Sequence, residues 1–188
     1  KGHNGTLVDT ATVSGATQFM GNVLALDGTG DYMTVPDNDD WAFGTGDFSV
    51  DLWVKFNSIT NTYYHFFHQG TVGTNEMEFW WQNNNTLNFN ETPSGLAHAV
   101  SWTPVINTWY HIALVRRGNN FITYVNGVPL GATISSANLT DRANSLEIGA
   151  YTVTGGPYYF PGYLDSFRII KGRALTPEEI KAAASKKP

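Results

Sequence analysis

Alternation of apolar and polar side chains at period two is the feature that most restricts this chain. Between Phe48 and Phe56, Phe48, Val50, Leu52 and Val54 fall on one side, and Ser49, Asp51, Trp53 and Lys55 on the other. Successive side chains of a strand point to opposite faces, so this pattern marks a half-buried strand. The same reading predicts strands at Asn22 to Leu26, Tyr32 to Val35, Tyr63 to His68, Glu76 to Gln82, Thr86 to Asn90 and Ala97 to Trp102. It continues with Trp109 to Arg116, Phe121 to Val125, Leu146 to Ala150 and Tyr163 to Lys171. Turn signals separate them, among them Asp27-Gly28-Thr29-Gly30 and Asn126-Gly127. The latter favours a two-residue hairpin, because both residues tolerate positive φ. Many short strands with turns between them predict an all-β fold, a two-sheet sandwich or a barrel.

Helical periodicity is nearly absent until the end of the chain. There Thr176-Pro177-Glu178-Glu179 supplies an N-cap, a proline at the first helical position and a capping-box glutamate. A short helix that begins there and continues over Ile180 to Ser185 is expected, serving as a surface latch. No repeat, linker or composition break interrupts residues 1–188, so one domain is expected. The stretch from Gly155 to Gly162 is a long loop with three adjacent aromatics, Tyr158, Tyr159 and Phe160. Such loops often carry function.

Composition narrows the function classes. The chain has no cysteine, which excludes disulfides, thiolate zinc sites and a thiol nucleophile. Charged residues make up 14% and the net charge is −5; an average soluble domain carries about 25%. Basic runs are limited to the pairs Arg116-Arg117 and Lys186-Lys187, so a nucleic-acid partner is not expected. No apolar run approaches a membrane span. The N-terminus lacks a signal-peptide apolar region, so secretion would imply a removed leader or a longer parent chain. In place of charge stand 17 Asn, 31 Ser and Thr, and 26 aromatic residues. That mixture points to an extracellular or cell-surface, displayed module.

Taken in order, several pieces resemble the laminin-G-like jelly rolls of the concanavalin A-like lectin/glucanase superfamily. They are Leu24-Ala25-Leu26-Asp27-Gly28-Thr29-Gly30-Asp31-Tyr32, then Gly46-Asp47-Phe48-Ser49-Val50-Asp51-Leu52-Trp53-Val54. Trp109-Tyr110-His111-Ile112-Ala113-Leu114-Val115, Tyr124-Val125-Asn126-Gly127 and Gly162-Tyr163-Leu164-Asp165-Ser166-Phe167-Arg168-Ile169 follow, and then Arg173-Ala174-Leu175-Thr176. The resemblance runs over about residues 20 to 180 and is only an outline between Asn57 and Pro104. It implies a two-sheet antiparallel jelly-roll sandwich and often a structural calcium. Adhesins, accessory modules of polysaccharide-degrading enzymes and virion proteins share the fold, so function drawn from it is analogy.

The calcium expectation rests on Asp165. At period two it shares a face with Phe167 and Ile169, and a carboxylate on an apolar face needs a partner. Related folds supply calcium there, held by an aspartate and backbone carbonyls. Gly46 and Asp47 are the expected further ligands. An ion pair with an arginine, or hydrogen bonds from backbone N–H groups, would serve the same need.

A glycan site needs aromatic platforms beside amide and carboxylate partners. On the strand from Glu76, the residues Glu76, Glu78, Trp80 and Gln82 face one way, towards solvent on this reading, and Met77, Phe79 and Trp81 face the core. Across the turn Asn83-Asn84-Asn85, Asn88 and Asn90 share one face. Trp80, Glu78, Gln82, Asn88 and Asn90 are therefore candidate ligand residues, with His68, Trp102, Tyr151, Tyr158 and Tyr159. The alternative for each aromatic is that it covers a sheet edge or packs between loops.

Catalysis is not expected. Glu76 and Glu78 place two carboxylates on one face about 7 Å apart, but the third acid of laminarinase-like strands is missing. The five histidines show no metal spacing; His65 and His68, three apart on a strand, should face opposite ways, and His111 belongs to the scaffold. Neither a nucleophile elbow nor a phosphate loop is present. The expected function is non-catalytic recognition of a glycan or cell-surface polymer. The rival is a structural domain of a larger assembly, such as a phage tail fibre or decoration protein, in which aromatics would contact protein neighbours.

Overall fold

A computed structural model describes residues 2–14, 23–71, 73–152 and 156–187. Asn22, at the start of one predicted strand, and Gly155, at the start of the aromatic loop, lie outside the described residues. In chain order the first strands are β1 (Thr6–Val8), β2 (Thr12–Ser14), β3 (Val23–Asp27), β4 (Tyr32–Val35), β5 (Phe48–Phe56) and β6 (Tyr63–Thr71). Next come β7 (Asn75–Gln82), β8 (Thr86–Glu91), β9 (Leu96–Ser101), β10 (Trp109–Arg117), β11 (Asn120–Val125) and β12 (Val128–Ile134). The last are β13 (Leu146–Ile148), β14 (Ala150–Tyr151), β15 (Tyr158–Tyr159) and β16 (Pro161–Lys171), before helix α1 (Pro177–Ala184).

Two seven-stranded antiparallel sheets face each other. The front sheet has the order β1-β4-β13-β6-β7-β8-β9, and the back sheet β12-β11-β10-β5-β16-β3-β2. Of the sandwich or barrel that the alternation allows, this is the sandwich, with the short C-terminal helix that the capping signals predict. The core lies between the sheets. Phe48, Val50, Leu52, Val54 and Phe56 of β5 meet Met77, Phe79 and Trp81 of β7 and Leu87 and Phe89 of β8, all essentially without solvent exposure. Aromatic rings fill much of it: Phe43 stacks on Phe48 at 4.1 Å and Phe56 meets Trp81 edge-on at 5.7 Å. Such geometries add to the burial of the rings themselves.

Local chemistry sets the connections. Asn126 and Gly127 have φ of 49° and 79°, the left-handed pair that a tight hairpin requires. β12 is the strand that returns from that hairpin, with Val125 opposite Val128. Helix α1 starts on the expected capping box, Thr176 with Glu179, and on Pro177. It lies on the outer face of the back sheet, where Ile180 and Leu175 pack with Ala113, Val115 and Tyr124 into a second small core.

Buried polar groups tie the sheets and loops together. His98 of β9 bonds Thr133 at 2.8 Å and Thr123 at 2.9 Å, joining the edge of the front sheet to β11 and β12. Arg142 is ion-paired with Glu91, both shielded from solvent, and donates to the carbonyls of Glu76 and Thr92 at 3.0 Å. That pair pins the connection between β12 and β13 beneath β7 and β8. No helix among the described residues is long and apolar enough to cross a membrane.

Candidate functional site

The outer face of the front sheet is a grid of polar and aromatic side chains. β7 turns Glu76, Glu78, Trp80 and Gln82 outward while Met77, Phe79 and Trp81 enter the core. Antiparallel partners point to the same side. Trp80 therefore stands beside Asn88, and Glu78 beside Asn90. Ala99 and Ala97 of β9 follow in the same rows, both exposed. On the other flank, β6 places His65 opposite Trp80 and His68 opposite Glu78, with Phe66 as an extra residue between them. This β-bulge restores the phase. His65 and His68, expected on opposite faces, share the outer one, while Phe66 and Phe67 both enter the core. β13 adds Glu147, opposite His68.

A small hairpin, β14 with β15, folds over this grid. Tyr151 stacks on His65 with centroids 4.7 Å apart and meets His68 edge-on at 4.6 Å. Tyr158 meets Tyr63 edge-on at 4.8 Å. His65 in turn lies parallel to Trp80 at 5.7 Å. The Tyr151 hydroxyl donates to Glu76 at 3.4 Å.

Charge is arranged by direct pairing. His65 Nε2 lies 3.0 Å from Glu78 and His68 Nδ1 lies 3.2 Å from Glu147. Burial holds the His65 pKa below its ordinary value, outweighing the attraction of Glu78. A neutral His65 therefore donates through Nε2 and leaves Nδ1 as an acceptor. Burial alone would raise the Glu147 pKa, but bonds from His68 and Thr152 outweigh it and keep the carboxyl below the usual range. Tyr151 is pushed well above the ordinary phenol range, first by burial and then by Glu76 and Glu78. Three ring nitrogens in this cluster are buried without a hydrogen-bond partner: Trp80 Nε1, His65 Nδ1 and His68 Nε2.

Eight of the ten candidate ligand residues thus share one region: Trp80, Glu78, Gln82, Asn88, Asn90, His68, Tyr151 and Tyr158. Trp80, expected as a solvent-facing platform, is only 7% exposed, because His65 and the strand neighbours wall it in. The half-buried rings are those of Tyr151 and Tyr158. Tyr159 leans on Tyr32 at 6.2 Å, away from the histidines. Trp102 packs at the end of the core, edge-on to Tyr110 at 4.9 Å, and its carbonyl accepts from Trp81 Nε1 at 3.0 Å. Sequence reasoning missed His65, Tyr63 and Glu147. The bulge that turns His65 outward has no period-two signature.

The expected calcium ligands do not come together. A bulge in β16 sets Asp165 opposite Trp53 and Arg168 opposite Asp51, whereas Ile169 is opposite core-facing Val50. Asp165 therefore does not share the face of Ile169. It is 5% exposed; one oxygen accepts from Ser166 at 3.1 Å and the other has no partner. Arg168, three residues further along the same strand, is taken by Asp51 at 2.7 Å. Gly46 and Asp47 lie before Phe48, about 20 Å along β5 from Trp53 at strand rise. Asp47 there accepts from the Gly118 N–H at 2.7 Å. Asp165, Gly46 and Asp47 thus do not fit one ion, and among the described residues no cluster of three or more His, Cys, Asp or Glu is arranged to hold a metal. A cavity of about 850 Å³ opens beside Asp165, between β3, β4, β13 and β16, and shares no lining residue with the front-sheet grid.

Comparison with known proteins follows the fold. Domain 4 of AbnA, an extracellular arabinanase from Geobacillus stearothermophilus whose structure holds arabinotriose, superposes with a TM-score of 0.75 at 21% identity, over 96% of this chain and 87% of that one. A botulinum neurotoxin type C structure, described as depending on two ganglioside molecules for cell entry, gives 0.71 at 14% identity, over 97% of this chain and 46% of that one. Trypanosoma rangeli sialidase gives 0.66 at 19% identity, over 94% of this chain and 29% of that one. This chain spans less than half of the toxin and sialidase chains. No curated protein sequence matches it. The sequence profile of the concanavalin A-like lectin/glucanases superfamily matches residues 27–181, and with the two-sheet jelly roll in place the chain is a member of that superfamily.

Proposed function

We propose that this chain is a non-catalytic glycan-binding module of an extracellular or surface protein, with its ligand on the outer face of the front sheet. The observation that carries this reading is the aromatic hairpin folded over a polar grid. Tyr151 and Tyr158 form a wall, Glu78, Gln82 and Asn90 offer hydrogen-bonding groups, and Ala97 and Ala99 leave an open floor. A sugar has apolar C–H faces and a rim of hydroxyls, and a wall of rings beside amides and carboxylates matches both. Trp80, in the same row of the grid, carries in Nε1 a buried donor without a partner. Buried polar groups are ordinarily satisfied, so an unsatisfied one beside a grid of this kind supports a ligand hydroxyl or an ordered water as its partner. The neighbour in complex with arabinotriose supports the same class of ligand.

We take the module to be non-catalytic, and the pairing of its outward carboxylates supports this. Glu76 accepts from the Gly73 N–H at 3.1 Å and from Tyr151, and Glu78 is bonded to His65, so each carboxylate has a holding partner. Calcium has no part in the reading.

A glycan array on the purified protein tests it, followed by titration of the hit against Tyr158→Ala and Asn90→Ala. Each substitution at these half-buried positions is expected to weaken binding about tenfold, or ~1.4 kcal/mol, with the melting temperature little changed. No reducing ends should be released from the polysaccharide of the hit. A folded protein that binds no glycan would overturn the proposal in favour of an assembly role with protein neighbours.

A further inference from the structure

We infer that the front-sheet site takes uncharged glycans and rejects those bearing carboxylate or sulfate groups. This rests on the glycan-binding reading above and adds the class of sugar. It begins in the sequence: no lysine or arginine occurs between Lys55 and Arg116. That interval contains β6, β7, β8 and β9, the four strands that build the floor of the site. The described cations lie on back-sheet strands β5, β10 and β16 or in the C-terminal segment, with Arg142 the exception. Arg142 is buried and bound to Glu91 on the far side of the grid. Lys55, by contrast, sits on the back sheet, 4.3 Å from the Tyr163 ring.

The front face carries the opposite sign. Glu76, Glu78 and Glu147 all reach the cluster around His65 and His68. Neither histidine supplies a free positive charge there, since His65 is kept neutral by burial and His68 is turned to Glu147. An acidic sugar would bring a fourth carboxylate beside these three, give up part of its hydration and find no cation. Like charges brought together in a partly buried site discriminate strongly against a partner. A neutral sugar meets no such barrier. Its hydroxyls can donate to the free lone pairs of Glu78 and accept from the half-buried amides of Gln82 and Asn90. Likeness of fold does not make this choice, because it is shared with chains as different in ligand as an arabinanase domain with arabinotriose and, over 29% of its length, a sialidase with 2,3-difluorosialic acid.

The test uses an array holding neutral oligosaccharides beside their uronic, sialylated and sulfated counterparts. Titrations of matched pairs follow, such as galactotriose against trigalacturonic acid and lactose against 3′-sialyllactose. The hits are expected to be uncharged. The acidic member of the bound pair should be at least tenfold weaker in 20 mM salt, with the gap closing in 0.5 M salt as the repulsion is screened. Asn90→Lys, which leaves the Glu78–His65 bond in place, should narrow the gap at low salt. Glu78→Gln should do the same and serves if the first variant does not fold. An acidic glycan bound as well as its neutral partner overturns the inference while leaving the glycan-binding proposal standing, and so does binding confined to cationic amino sugars. Absence of any glycan binding removes both.

Discussion

His98 stands on β9 beside Leu96 and Val100, on the face that enters the sandwich, and both of its ring nitrogens are spent on threonine hydroxyls. Burial holds its pKa at about 4 against an ordinary 6.5. The unfolded chain therefore binds a proton near pH 6.5 that the folded chain refuses until about pH 4. Stability is complete above pH 6.5 and falls as the pH drops through that window. The loss is ~1.4 kcal/mol per pH unit, on the order of 3 kcal/mol in all. Urea unfolding at pH 7, 5.5 and 4 should show it, and His98→Gln should flatten the slope. His65, held low by the same cause, contributes with the same sign, so the variant leaves part of the slope in place. A slope identical in wild type and His98→Gln would remove His98 from the account. At this scale the sequence yields facing but not exposure. Alternation turns Trp80 outward, as expected, but the ring that buries it belongs to β6.

At the scale of elements, bulges decide where the chemistry lies. Phe66 in β6 and the Ser166–Phe167 pair in β16 each add one residue. Each keeps two residues three apart on one face, His65 with His68 and Asp165 with Arg168. Strict period two assigns both pairs wrongly, which is why the candidate site lacked His65 and why Asp165 was set on the apolar face, where the family resemblance then suggested calcium. The longer core strands, the Asn126-Gly127 hairpin and the capped helix were legible, because their signals are local, whereas β1, β2, β12 and the β14–β15 pair were not read as strands. The aromatic loop was legible as a feature but not in its parts: Tyr158 meets the site, Tyr159 leaves it, and Phe160 is fully buried in the core. The bulge in β6 can be tested directly. Phe66→Leu keeps the residue count and should cost about 1–2 kcal/mol, with glycan binding retained. Deleting Phe66 shifts the register by one and turns one half of β6 over. That would present His65 or His68 to the core, and loss of the cooperative unfolding transition is expected. A deletion variant as stable as Phe66→Leu would show that the bulge is dispensable.

Across the whole molecule, the two sheets divide the work and the chain closes them in a definite order. The front-sheet strands β6 to β9 pair with their neighbours in sequence. The back sheet needs the far end of the chain, because β16 lies between β5 and β3 and joins them. Helix α1 then covers the outer face of the back sheet, on the side opposite the proposed site, and Ser49 anchors its approach by accepting from the Leu175 N–H at 2.8 Å. Two shortened chains separate these contributions. A chain ending at Lys171 keeps every sheet strand and loses the burial of Leu175 and Ile180, each about 1.5–3 kcal/mol. Set against a typical domain stability of about 5–15 kcal/mol, the sandwich should still fold. It should have a lower melting temperature and bind an apolar dye through the uncovered Ala113, Val115 and Tyr124. Its glycan affinity should equal that of the full chain, because nothing at the front-sheet site touches the helix. A chain ending at Phe160 lacks β16, leaves β5 and β3 unpaired along one edge each, and should not fold cooperatively. If the chain ending at Lys171 folds yet loses glycan binding, the ligand lies on the back sheet beside the helix, and the assignment of the front face falls.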